Sequence, residues 1–314
     1  MTALLEAPTP ITPNRITFLE LEITRECQLT CPSHCYAQAG PGAGHGSMTG
    51  DDWRRVISDA AGIGVTKVQF IGGEPTRHPE FADLVRHALA EGLNVQVFSN
   101  LYRVRAPWWE LFAHPRLSLG TSYYSVDPDE HDAVTGRKGS HARTRASIAE
   151  AVRRGVPIKV GIIHLRDGRR TEQARAEMEA LGVTRVHVDR VRGVGNAARV
   201  LPSVTELCGA CGDSRAAIGP NGEVWPCVLS RFLHPAGNVR RDSLAQILGG
   251  EVWAALASAI PRRRGRAGCT PDEDSCMPSP GDVPPNDRTV TACNPDQDSS
   301  DCSPAETPAC LPKH

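Results

Sequence analysis

Cys27, Cys31 and Cys35 fall within nine residues, in a C-x3-C-x3-C arrangement. Three thiolates in one short loop can wrap a corner of a cubane cluster and ligate three of its irons, leaving the fourth open for chemistry. A zinc ion would instead call for four ligands, often in C-x2-C pairs. His34 could supply a fourth, but its neighbour Cys35 already serves, and adjacent ligands suit a tetrahedron poorly. A second chemical feature is Gly72-Gly73-Glu74-Pro75. Glycines let backbone approach a ligand closely, and a carboxylate can pair with an ammonium.

These residues need a scaffold, and the pattern around them supplies one. Apolar, β-branched runs at 16–24, 66–71, 94–99, 117–124, 157–164 and 184–191 alternate with helical stretches. The clearest helix spans 78–91, where Phe81, Leu84, Val85, Ala88 and Leu89 recur at the spacing of one buried stripe and Gly92 follows as a stop. The stretches 140–155 and 171–182 repeat that arrangement. Six strand–helix units in series imply a parallel sheet with right-handed crossovers. The triad then follows the first strand and Gly72–Pro75 the second, at the C-terminal ends where α/β folds keep their functional loops.

After Pro202 the character changes. Residues 216–225 read as a β-hairpin, and Asp242 or Ser243 caps a helix reaching about Ile260, with Leu244, Ile247, Leu248, Val252 and Leu256 on its apolar side. From 261 onward Pro, Asp, Ser and Cys dominate, a composition that buries too little apolar surface to fold by collapse alone. The remaining eight cysteines are Cys208, Cys211, Cys227, Cys269, Cys276, Cys293, Cys302 and Cys310. Eleven thiols, an odd count with no secretion signal, point to metal ligation rather than a disulfide framework. A formal net charge of −1 gives no case for nucleic acid, and no apolar run is long enough for a membrane span, so a cytoplasmic protein is expected.

The triad and the Gly-Gly-Glu-Pro loop together resemble the radical S-adenosylmethionine (SAM) superfamily, with one residue more in the second gap than the usual C-x3-C-x2-C. The resemblance implies a partial (β/α)6 TIM-like barrel over 15–200, a leader at 1–14, and a [4Fe–4S] cluster on Cys27, Cys31 and Cys35 that binds SAM. It implies that Gly72, Gly73, Glu74 and Pro75 hold the SAM amino group, partly through the acidic side chain. Ser125 and Asp127 would help hold the ribose and carboxylate, Asn100 would line the cavity, and Arg192, Gly193 and Gly195 would approach the adenine. Either His34 or Tyr36 would stand where the family places an aromatic residue beside the adenine. Read naively, Gly193-x-Gly195-x-x-Ala198 is a dinucleotide fingerprint, but Pro202 interrupts any helix that could complete the unit.

The order Cys211, hairpin with Cys227, then capped helix resembles the SPASM or twitch extension. Residues 201–314 would thus be a Cys-rich auxiliary domain of β-hairpin, helix and irregular tail, with one or two further iron–sulfur clusters on the eight remaining cysteines. That extension goes with maturases of ribosomally made peptides, which cross-link, form thioethers or epimerise. A flavodoxin or ferredoxin would supply electrons, and a separate protein could recognise the peptide. The alternative is a small-molecule enzyme, for example an aminoglycoside dehydratase or epimerase. A non-enzymatic iron–sulfur or zinc protein would leave Gly72–Pro75 without a purpose.

Overall fold

The computed structural model describes residues 16–165 and 168–261, the side chains of 168 and 169 excepted. Cys269, Cys276, Cys293, Cys302 and Cys310, and the 1–14 segment, lie outside the described residues. Six strands, β1 (Phe18–Thr24), β2 (Lys67–Gly72), β3 (Asn94–Phe98), β4 (Leu117–Tyr123), β5 (Ile158–His164) and β6 (Arg185–Arg190), pair in chain order, every pair parallel. This is the expected (β/α)6 partial barrel.

Between the strands run α1 (Gly50–Gly62), α2 (Phe81–Ala90), α3 (Ala106–Phe112), α4 (Pro128–Thr135), α5 (Ser140–Arg153) and α6 (Gly168–Ala180). Helix α1 begins with a full capping box, in which Thr49 and Asp52 satisfy each other's backbone N–H. Its Trp53, Val56, Ile57 and Ala60 face the sheet at i, i+3, i+4 and i+7. The stripe expected on 78–91 is buried as read, although the helix begins at Phe81, after a 3-10 turn over Pro75–Arg77.

Successive side chains in a strand point to opposite faces. Leu19, Leu21 and Ile23 of β1, Val68 and Phe70 of β2, and Val95 and Val97 of β3 pack in one core with the helical residues. The other face carries Glu20, Glu22, Gln69 and Gln96, all buried. Register places Glu20 beside Gln69 and Gln69 beside Gln96, with Gln69 Nε2 donating to Gln96 Oε1 at 2.8 Å. The concave side of the sheet is therefore a polar surface enclosed by protein.

The hairpin is present as β7 (Arg215–Ile218) and β8 (Glu223–Trp225), followed by β9 (Gly237–Asn238). It is not a separate layer. Strand β7 runs parallel to β1 on the side away from β2, giving one nine-stranded sheet in the order β6-β5-β4-β3-β2-β1-β7-β8-β9. The expected 243–260 helix is two helices, α7 (Leu244–Leu248) and α8 (Glu251–Ala259). Ser243 caps the first as read, but Gly249-Gly250 interrupts the run and resets the phase. Trp253 is buried in consequence, and Val252, expected on the apolar side, is 52% exposed. Among the described residues no helix is long and apolar enough to cross a membrane.

Candidate functional site

The cysteine loop leaves the end of β1 and is fastened on both sides. Thr30 and Cys31 donate their backbone N–H to the carbonyl of Thr135 at the end of α4, at 3.2 and 3.1 Å. Arg137 donates to the Gln28 carbonyl at 2.8 Å. Cys31 has φ +37°, in the left-handed region that costs a side chain about 1 kcal/mol, and these bonds help hold it there. The N–H groups of His34 and Cys35 both turn back to the Cys31 carbonyl. All three cysteines line one internal cavity of about 220 Å³.

Two sulfurs already receive donors. Cys27 Sγ accepts from Leu29 N at 3.4 Å and from Asn100 Nδ2 at 3.6 Å, and Cys35 Sγ accepts from Ala39 N at 3.4 Å. Such donors favour a thiolate, whereas burial opposes it. Burial, then the charge of Glu74, pushes the free Cys27 thiol up to about 12. Burial, then its fellow cysteines, raises Cys31 as well. Cationic iron would reverse that preference, because a coordinating thiol is deprotonated outright. Among the described residues no three His, Cys, Asp or Glu side chains converge on a single-ion position. Sulfurs that each hold a different iron of a cubane must line a wall rather than meet at a point. The donor set fits a cluster.

Gly72 and Gly73 bring the second loop against the first. Gly72 has φ +130°, and a Cβ there would stand 2.3 Å from the Thr24 carbonyl oxygen. A Cβ on Gly73 would stand 2.5 Å from that of Glu26. Gly73 N donates to Thr24 O at 2.8 Å and Glu74 N to Glu26 O at 2.9 Å. Both glycines also line the cavity.

Glu74 is turned into the protein in this structure. Its carboxylate is 1% exposed, does not line the cavity, and accepts four hydrogen bonds from the protein. Oε1 takes Thr76 N at 3.2 Å, Thr76 Oγ1 at 2.6 Å and Ser99 Oγ at 2.8 Å, while Oε2 takes Asn100 N at 2.8 Å. Three of the four donors meet Oε1 and one meets Oε2. Glu74 joins the ends of β2 and β3, and Pro75 opens the 3-10 turn behind it. Asn100 does line the cavity, held at its backbone by Glu74 and at its side chain by Gln28, with Nδ2 on Cys27.

Ser125 and Asp127 also lie away from the cavity lining. Asp127 is the N-cap of α4, accepting from Asp129 N and Glu130 N, and it pairs with Arg170 at 3.3 Å. Ser125 Oγ donates to Glu130 and accepts from Asp127 N. A carboxylate at a helix N-terminus already has its donors, which is why this pair is turned toward the helix. Asp127→Ala should therefore fray α4 and lower Tm by about 2–4 °C while leaving SAM affinity by calorimetry unchanged. A tenfold weakening (~1.4 kcal/mol) would restore Asp127 to the binding set.

On the far wall Arg192 lines the cavity and forms a buried pair with Asp189 at 2.9 Å. Gly193 and Gly195 do not line it. Gly193 N donates to Glu206 at 2.8 Å. Gly195, at φ +58°, lies so close to the cysteine loop that a Cβ would stand 2.4 Å from Cys35 O. Asn196 completes that contact through N to Cys35 O at 2.9 Å and Nδ2 to Cys31 O at 3.2 Å. Both aromatic positions around Cys35 are used. Tyr36 lines the cavity with its phenol buried, raised by burial and then by the charge of Glu22. His34 packs its ring on Tyr124, centroids 4.7 Å apart, and burial lowers it to about 4.

Sequence reasoning missed Glu20, Gln69, Ser122, Tyr124 and His131, all of which line the cavity. The signal was present in Leu19-Glu20-Leu21-Glu22-Ile23, where carboxylates alternate with apolar residues inside a strand covered on both faces.

A family model described as the radical SAM superfamily matches residues 21–188, more than half of the chain. The chain belongs to the radical SAM superfamily. Its cofactors are accordingly a [4Fe–4S] cluster and SAM. A second model, an iron–sulfur cluster-binding domain of the SPASM type, matches residues 208–276 and extends the iron–sulfur chemistry to the C-terminal part. This radical SAM chain is similar to the PqqA peptide cyclase of Ruegeria pomeroyi, 32% identical over 212 residues, covering 63% of this chain and 54% of that one. The Xanthomonas axonopodis pv. citri protein of the same name is 26% identical over 292 residues, covering 79% and 76%. The chain spans about half the length of the first of these relatives. Streptococcus suis SuiB bound to S-adenosylmethionine superposes with a TM-score of 0.66 at 14% identity, over 78% of this chain and 68% of that one. For anSMEcpe with bound AdoMet the TM-score is 0.62 at 11% identity, over 79% and 81%. At these identities the structural likeness is one of fold.

In the SPASM-matched part, Cys208, Cys211 and Cys227 are buried together with Leu207, Ala210 and Ile260, and the sulfurs of Cys211 and Cys227 stand 2.6 Å apart. This pocket adjoins the central cavity. Val228, next to Cys227, lines the cavity and donates its N–H to Glu20 at 3.1 Å.

Proposed function

We propose that this chain cleaves SAM reductively at a cluster held by Cys27, Cys31 and Cys35 and uses the resulting radical to modify a ribosomally made peptide. The observation that carries the reading is the single cavity lined by all three cysteines, Gly72, Gly73 and Asn100 at the C-terminal ends of the strands. The similarity to PqqA peptide cyclases supports the choice of a peptide over a small molecule. When bound, the cluster and SAM supply a 5′-deoxyadenosyl radical able to remove an unactivated hydrogen.

The protein's part is to place and to exclude. The three cysteines hold the cluster and leave one iron open. Gly72 and Gly73 offer a side-chain-free edge for the amino-acid end of SAM, and Asn100, Tyr36 and Arg192 bound the space for the rest. Ser125, Asp127, Gly193 and Gly195 act through the elements they fasten. Apolar Ile71, Phe98, Val194 and Leu229 help keep water from the reacting centre. Cys208, Cys211 and Cys227, with distal cysteines, hold at least one auxiliary cluster. Electrons come from a flavodoxin or ferredoxin, and a separate protein recognises the peptide.

Anaerobically reconstituted chain, SAM, reductant and the short peptide encoded beside its gene should yield 5′-deoxyadenosine together with a peptide short of one pair of hydrogens by mass spectrometry. An epimerase would instead show one solvent-derived deuterium in heavy water. SAM cleavage with no change in any such peptide, and turnover of an aminoglycoside instead, would overturn the peptide assignment.

A further inference from the structure

A second cavity, of about 520 Å³, is lined by residues of the cysteine loop and of the 102–108 and 76–77 segments. Cys27 lines both cavities. The inner one is lined by a mixture of strand and loop side chains, polar and apolar, whereas four of the eleven residues lining the outer one are arginines. Arg77, Arg103, Arg105 and Arg137 line it, all exposed, around Tyr102 and Trp108.

The aromatic rings hold these charges in place. The guanidinium of Arg137 lies 4.6 Å from the centre of the Tyr102 ring, and that of the neighbouring Arg143 lies 4.9 Å from it. Arg105 covers Trp108 at 4.3 Å. Stacked guanidiniums keep their charge and lose little further entropy when they meet an anion. Glu26, the one carboxylate in the lining, is paired with Arg77 at 3.3 Å. Arg103, Arg105, Arg137 and Arg143 make no ion pair among the described residues. Among the described residues, a chain of net charge −1 thus concentrates unpaired positive charge at one groove, and Cys27 is one of the residues lining that groove.

We propose that this groove is the docking surface for an acidic one-electron carrier protein. The inference rests on the reading of Cys27 as a cluster ligand. In the step concerned the carrier gives up one electron and the oxidised cluster takes it; no bond or proton moves. Weak redox encounters use small interfaces and depend on charge for orientation and on-rate, which suits a compact basic groove. An acidic peptide segment could be attracted by the same charge, but the proposed function brings the peptide to the radical in the inner cavity, whereas a carrier need only approach the cluster ligand Cys27, which the outer groove also reaches. Arg137 also donates to the Gln28 carbonyl next to that cysteine, linking the surface to the loop.

The test uses full-length chain and a flavodoxin as probe. Flavodoxin should bind the iron-free chain at low ionic strength, with affinity falling steeply as salt is added. The double variant Arg103→Glu/Arg105→Glu should weaken that binding by about tenfold or more. In reconstituted protein it should slow flavodoxin-driven 5′-deoxyadenosine release and leave dithionite-driven release unchanged. The milder Arg103→Gln/Arg105→Gln pair should fall between, which covers a charge reversal that misfolds. Flavodoxin binding equal to the parent's in both variants would overturn the proposal. So would loss of binding to an acidic peptide with flavodoxin binding intact. Failure of the parent chain to cleave SAM with dithionite would instead overturn the function proposed above, separately from the binding result.

Discussion

Cys31→Ala should bring dithionite-driven 5′-deoxyadenosine release down to the enzyme-free background. The anaerobically reconstituted variant should also lack about four irons relative to the parent. Cys31 is the middle thiol of the loop, and its position at φ +37° is held by Thr135 rather than by any feature of the sulfur. Alanine keeps that backbone and removes only the ligand. A cluster left with two thiolates loses the fixed geometry that keeps one iron open. Cys208, Cys211 and Cys227 lie in a separate buried group, so iron bound there should survive in the variant. Iron content and 5′-deoxyadenosine by chromatography check both halves. Continued SAM cleavage would mean that another donor holds the cluster.

Glu74→Gln should destabilise the chain even when neither SAM nor iron is present. The carboxylate accepts from four donors, and an amide would turn its own N–H groups toward some of them. Leaving one or two buried donors unmet costs about 3 kcal/mol, a fall in Tm on the order of 5 °C for a protein of this size. Differential scanning calorimetry on iron-free protein reads this directly. If Glu74 were chiefly a ligand for SAM, the apo Tm would stay near the parent's and only SAM affinity would fall. The distinction matters because Asn100 N, a Glu74 donor, belongs to the residue that also reaches Cys27 Sγ. Loss of the clamp would loosen the cavity from behind.

The strands were legible almost to the residue, because buried parallel strands read as apolar runs bounded by glycine and polar turns. The stripe of α2 was legible for the same reason. Less visible were the contacts that depend on which way a side chain turns. Glu74 sits in a motif that suggests a ligand, yet its four donors come from Thr76, Ser99 and Asn100, two of them on another loop. Asp127, expected at the site, also caps α4, where a Pro at the next position starts the helix. The pairing of β7 with β1 joins residues about two hundred positions apart, which no local pattern encodes. The Gly249-Gly250 interruption could have been read, since glycine pairs weaken helices, but the apolar spacing across it masked the break.

Cys35 is flanked by two aromatic groups: the His34 ring packs on Tyr124, and the Tyr36 phenol lies within the influence of the Glu22 charge. Two aromatic groups thus line the cavity from one loop.

The most direct test of the central claim is electron paramagnetic resonance of the reduced, full-length chain with and without SAM. A cluster on Cys27, Cys31 and Cys35 with one open iron predicts a signal that changes when SAM is added, and the loss of that change in Cys31→Ala. A reduced spectrum that SAM leaves unaltered in the parent chain would contradict it.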